Sequence, residues 1–89
     1  MATLPEPIRK AHWHAIRHRD EVLASERCGC FYCLEVYEPA AITNWTDSDA
    51  AGVGQTALCA RCGIDSVIGN RSGFPLTRAF LAEMRQYWF

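Results

Sequence analysis

The 89-residue sequence lacks any long apolar run, so none of it can span a bilayer, which asks for about 20 consecutive apolar residues. It also lacks an excess of charge of either sign. Nine Lys and Arg against ten Asp and Glu leave a formal net charge of −1, which is not the electrostatic footprint of a chain built to live on nucleic acid. No signal-peptide pattern opens it, and its five cysteines are an odd number, so a secreted disulfide framework is not expected. Nor is it poor in apolar residues: 49% hydrophobic and 11% aromatic content belong to a folded chain. Reduced cysteines and the absent signal pattern point to the cytoplasm.

The cysteines that are present carry the strongest signal. Cys30-Phe31-Tyr32-Cys33 and Cys59-Ala60-Arg61-Cys62 are two C-x-x-C pairs separated by 25 residues, 34 to 58. A tight turn with thiols at i and i+3 points both sulfurs the same way, as one chelating half of a tetrahedral site requires. Two halves joined by a stretch long enough for a hairpin complete a closed, structural four-cysteine site. The predicted ligands are Cys30, Cys33, Cys59 and Cys62, holding one ion per chain. Zinc is the default for an all-thiolate tetrahedron, and iron in a rubredoxin-like site is the alternative. A thioredoxin-like redox pair would need a strand before the first C-x-x-C, and nothing upstream of Cys30 resembles one. Cys28 could enter the site through its C-x-C spacing, but it is read as a small packed residue beside the metal.

Around this core the chain reads as a single zinc-binding domain over 1–89. Residues 1–27 form a lead-in and a helix, 28–69 the two-knuckle metal core, and 70–89 a C-terminal helix. The fold class is a small metal-stapled α+β domain with a treble-clef or zinc-ribbon-like core. Met1 to Pro7 reads as extended, and a helix is predicted from Pro7 or Ile8 to about Ser25. Its apolar periodicity is weak between residues 16 and 22. Gly29 is expected to close it in a left-handed conformation. Leu34 to Tyr37 suits a short strand, Pro39 to Trp45 a single turn, 48–54 a surface loop, and Gln55 to Leu58 a second strand. The 64, 67, 68 apolar face favours a helical turn over Ile64 to Ile68, as in a treble clef, where a zinc ribbon would place a strand. Asn70 to Pro75 reads as a turn. Thr77 is a good N-cap for a last helix with a stripe of Phe80, Leu81, Met84, Tyr87 and Trp88.

These pieces in order resemble a family of small bacterial proteins labelled only "cytoplasmic protein". The matching strings are Cys28-Gly29-Cys30-Phe31-Tyr32-Cys33, Trp45-Thr46-Asp47, Thr56-Ala57-Leu58-Cys59, Cys62 through Gly69, and Leu76-Thr77 to Tyr87-Trp88-Phe89, over roughly residues 12 to 89. That family often has proline where this chain has Ala60, a change that leaves the ligands intact. The resemblance implies a bacterial, cytosolic zinc protein and brings no activity with it. It includes Cys28 in a matching string.

Three functional classes follow. A closed metal site, near-neutral charge and many aromatics suit a module that binds a protein partner or regulates one, with Trp13 the best exposed contact. Nucleic-acid binding would use residues 9–19, where Lys10, His12, Arg17, His18 and Arg19 lie close together with Trp13 for stacking. The net charge favours a solvated helix face instead. A treble-clef nuclease of the HNH type needs a histidine between the knuckles as general base, and residues 34–58 contain none. Asp47 and Asp49 read as loop acids, and His14 and His18, at i and i+4, lack a third metal ligand. No catalytic residue is assigned, and monomer and homodimer both stay open.

Overall fold

A computed structural model describes residues 5–89 of the chain; the expected lead-in over residues 1–4 lies outside the described residues. The order of elements is α1 (Glu6–Trp13), α2 (Arg19–Ala24), β1 (Cys28–Cys30), β2 (Val36–Tyr37), a 3₁₀ turn (Pro39–Ala41), β3 (Trp45–Ser48), β4 (Gly54–Ala57), β5 (Val67–Gly69), a 3₁₀ turn (Asn70–Ser72) and α3 (Arg78–Trp88). It is an α+β arrangement of two small antiparallel sheets. One has the order β2-β1-β5 and the other is the β3-β4 hairpin.

The three-stranded sheet divides the interior. Side chains alternate across a strand, so Cys28 and Cys30 of β1 join Val67 of β5, Val22, Ile42, Ala57 and Cys59 in one buried cluster. Phe31 and Ile68 join Ile8, Ala11, Ala15, Leu81 and Met84 in the other, beneath α1 and α3. Gly29 sits between them in mid-strand, paired with both Val36 and Ile68. Its expected left-handed helix-ending role is not what the structure shows. A Cβ there would lie 3.1 Å from Leu81 Cδ1, so the residue is small because α3 packs directly on the strand.

The long N-terminal helix is broken in two. Pro5 precedes α1, and α2 starts at Arg19 after a kink in which Arg17 takes φ 48°. The kink repays its strain through bonds to β4: Arg17 N–H donates to Thr56 Oγ1 at 2.9 Å, and His18 Nε2 accepts the Ala57 N–H at 3.0 Å. The weak periodicity after residue 16 is the trace of this break.

Trp45–Ser48 pairs with Gly54–Ala57 as a hairpin strand that its composition did not suggest. Asp49 holds the hairpin's turn, its Oδ1 accepting the N–H of Ala51 and of Val53. Thr56 Oγ1 donates to Asp47 Oδ2 at 2.7 Å. Both acids are structural parts of the hairpin. The helix favoured over Ile64 to Ile68 is absent: the segment bends at Asp65 and passes through the buried Ser66 into β5, where Val67 and Ile68 are buried too. Pairing with β1 wins over the helical spacing of its apolar residues, so the treble-clef helix is not formed there. Thr77 caps α3 as expected, its Oγ1 accepting from Phe80 N at 3.2 Å. Of the closing aromatics, Trp88 is partly buried against the α1–α3 cluster, while Tyr87 and Phe89 are exposed.

Candidate metal centre

The sulfurs of Cys30, Cys33, Cys59 and Cys62 all lie within 4.8 Å of one another. Their closest pairs run between the knuckles: Cys30 to Cys62 and Cys33 to Cys59, each at 3.6 Å. These are far beyond a disulfide bond of about 2.05 Å. Four thiolates held about 2.3 Å from a common ion form a tetrahedron with edges of about 3.8 Å, so spacing and donor set fit a tetrahedral soft-metal site. Cys30 and Cys59 are buried, while Cys33 and Cys62 are half-buried.

The knuckles are built alike, residue for residue. In the first, Tyr32 and Cys33 donate their N–H groups to Cys30 Sγ at 3.3 and 3.4 Å. In the second, Arg61 and Cys62 donate to Cys59 Sγ at 3.3 and 3.5 Å. The Leu34 N–H closes the first turn on Cys30 O, as the Gly63 N–H closes the second on Cys59 O. The first cysteine of each then donates its own N–H five residues on, Cys30 to Glu35 O and Cys59 to Ile64 O. Each turn ends in the left-handed region, at Leu34 (φ 66°) and Gly63 (φ 78°). Glycine occupies that conformation freely, and Leu34 is held there by packing against the α1–α3 cluster. Backbone N–H groups aimed at a sulfur stabilise its thiolate form, the form that binds metal.

A hydroxyl completes each half, and the two are exchanged. Ser66, four residues after Cys62, is fully buried with Oγ 3.0 Å from Cys30 Sγ in the opposite knuckle. Tyr37, four residues after Cys33, brings its hydroxyl to the second knuckle, where it accepts the Ala60 N–H, one residue after Cys59, at 3.1 Å. Burial opposes ionisation of Cys59, but the Tyr37 hydroxyl and the Cys62 and Arg61 amides outweigh it and draw the thiol down to about 7. Burial pushes Cys33 up to about 11 and Cys62 up to about 12. Partners of this kind orient ligands and tune their basicity. The cysteine spacing did not reveal either hydroxyl; a shared +4 position after each second cysteine is the signal that could have found them.

Cys28 lies outside the sulfur cluster. Its thiol donates to Tyr37 O at 3.5 Å, and burial pushes it up to about 12, as suits a packed neutral residue. The basic and imidazole groups of residues 9–19 do not converge. Arg9 and Lys10 pair with Glu6 at 3.9 and 2.9 Å. His12 stacks on Trp88, His14 Nδ1 pairs with Glu21 at 2.9 Å, and His18 is buried. Arg19 lies over Trp45 at 4.6 Å and donates to Gly54 O. Among the described residues, the four cysteines are the only metal-ligating cluster of three or more Cys, His, Asp or Glu. Among the described residues, no helix is long and apolar enough to cross a membrane. In comparisons with family models, curated proteins and solved structures, nothing matches this chain.

Proposed function

We propose that this chain is a cytosolic zinc protein whose ion is structural, and that it serves as an interaction or regulatory module for another protein. The observation that carries the reading is the convergence of four cysteine sulfurs within 4.8 Å from two knuckles of one design. A four-thiolate site has no open position for water or substrate, so the metal's work is to hold the fold. Zinc fits a redox-silent staple that binds thiolates, with iron the competing occupant.

The protein-binding part of the reading rests on the outer surface of α1 and the kink after it. Trp13 is 62% exposed and Ile16 56% exposed. Large aromatics at the surface are enriched at binding hot spots. Of the four cations in residues 9–19, Arg9 and Lys10 are tied to Glu6 and Arg19 to the β3–β4 hairpin, so only Arg17 is without a side-chain partner among the described residues. The likeness to the small bacterial family belongs to the same proposal.

Elemental analysis of protein purified without chelator tests the metal. One zinc per chain is expected, one iron would replace zinc in the reading, and no metal would end it. Comparing the proteins retained from a bacterial lysate by the wild type and by Trp13→Ala tests the contact; identical sets remove Trp13 from it.

A further inference from the structure

The recess between α1 and the end of α3 differs from the other depressions in its chemistry. It opens to solvent, holds about 160 Å³ and is lined by His12, Ala15, Ile16, Phe31, Asp65, Trp88 and Phe89, with the buried Phe31 as its floor. An apolar cavity of about 150 Å³ accommodates a benzene-sized guest. The rings are set at angles to one another: Phe31 to Phe89 at 5.9 Å and 47°, and Phe31 to His12 at 6.0 Å and 53°. His12 stacks on Trp88 at 3.8 Å, which fixes the indole. Asp65 is exposed and has no hydrogen-bond or ion-pair partner among the described residues. No lysine or arginine lines the recess. Burial lowers the His12 pKa, and the charge of Asp65 opposes that shift.

Ring faces carry negative potential, and aromatic walls with a carboxylate beside them are the chemistry that recognises an organic cation. We infer that this recess binds an alkylated ammonium group, with Phe31, Trp88 and Phe89 as its aromatic walls and Asp65 as its counter-charge. The group is carried either by a free quaternary ammonium compound or by a methylated lysine side chain of a protein. The second source rests on the protein-binding reading above; the first does not. Neither involves the four sulfurs, so metal content measured on the same samples separates failure of this site from failure of the metal site.

The test is an NMR titration of the full-length, ¹⁵N-labelled, metal-loaded chain, following the Trp88 Nε1–H and Asp65 N–H resonances. The probes are choline, its neutral isostere 3,3-dimethyl-1-butanol, and a short peptide carrying one trimethyllysine. Saturable shifts with choline, and binding of the isostere at least about tenfold weaker, are expected, a gap of about 1.4 kcal/mol. Asp65→Asn and Phe89→Ala should each weaken choline binding by about tenfold with the fold intact, since both residues are exposed. Tighter binding of the peptide than of choline identifies a protein source, and equal or weaker binding a free one. Equal affinity for the isostere, the absence of saturable shifts, or unchanged affinity in both variants overturns the inference.

Discussion

His18 Nε2 accepts the Ala57 N–H at 3.0 Å, and its Nδ1 bonds the His14 carbonyl one turn back. The ring is therefore neutral, protonated on Nδ1, and spans from the kink between α1 and α2 to the strand that leads into Cys59. Protonating Nε2 removes the acceptor and leaves the Ala57 N–H unpaired in the interior.

Burial lowers the His18 pKa in the folded chain; the bond to His14 and the charge of Glu21 oppose this, and His14 adds slightly to it. The unfolded chain then binds more protons than the folded one below about pH 6.5, so stability rises with pH there. The contribution is fully present above about pH 6.5 and is lost as pH falls through the lowered folded value. Chemical denaturation at a series of pH values, with metal content checked at each, should show this acid limb. His18→Gln, which can keep an acceptor without titrating, should flatten it. An equally steep limb in the variant would assign the effect elsewhere.

Metal removal is expected to unfold much more than the knuckles. One buried cluster contains Cys28 and Cys30 of β1, Leu81 of the other packs over Gly29, and β1 ends at Cys30. Structural zinc contributes on the order of 10 kcal/mol in small domains, comparable to a whole domain's stability. Cys33→Ser, or excess chelator, should abolish the cooperative thermal transition followed by circular dichroism. A chain that melts normally without metal would show that the ion is dispensable.

Removing the exchanged hydroxyls should weaken the site without unfolding the chain. Ser66→Ala and Tyr37→Phe are each expected to reduce metal affinity by about 10–100-fold in a competition titration with a chromophoric chelator. Cys28→Ser is the contrasting variant: it leaves all four ligands in place and should change affinity least of the three.

The indole nitrogen of Trp88 is buried without a hydrogen-bond partner among the described residues. Trp88→Ala should cost about 2–3 kcal/mol, below the value for a fully buried ring because this one is only partly covered. Trp88→Phe keeps the stack on His12 and removes the orphaned donor, so its cost should stay under about 1 kcal/mol. Equal losses in denaturant unfolding would mean that the nitrogen is satisfied in solution.

A tight approach of α2 to β5 fixes another position. A Cβ on Gly69 would meet Ser25 Oγ, lie 3.0 Å from Ser25 Cβ, and sit 3.5 Å from the Val22 backbone. Gly69→Ala is expected to destabilise the chain by about 2 kcal/mol. A melting temperature matching the wild type would show that α2 can move away at little cost.

The clustering of the four cysteines could be read from spacing alone because two sulfurs at i and i+3 impose the same tight turn in any fold. Thr77 was equally plain, since its capping bond is local. Positions decided by distant partners were not readable. Gly29 looks like a helix terminator until Leu81 is packed on it, and Ile64 to Ile68 has helical spacing until β1 offers it a ladder. His18 looks like one more surface imidazole in a basic run, yet it is only 5% exposed. Its role depends on Ala57, 39 residues away.

The exchange of hydroxyls between knuckles bears on what can be transplanted. A peptide spanning only Cys30 to Tyr37 carries two thiols, but its tyrosine is the one that serves Cys59. A peptide spanning Cys59 to Ser66 has the reciprocal defect, since its serine serves Cys30. Each fragment is a bidentate chelator stripped of its own hydroxyl support and furnished with one for an absent partner. Grafting a single knuckle onto another scaffold would therefore move the weaker part of the affinity and leave the tuning behind. The smallest portable unit is the whole span from β1 through Ser66, hairpin included.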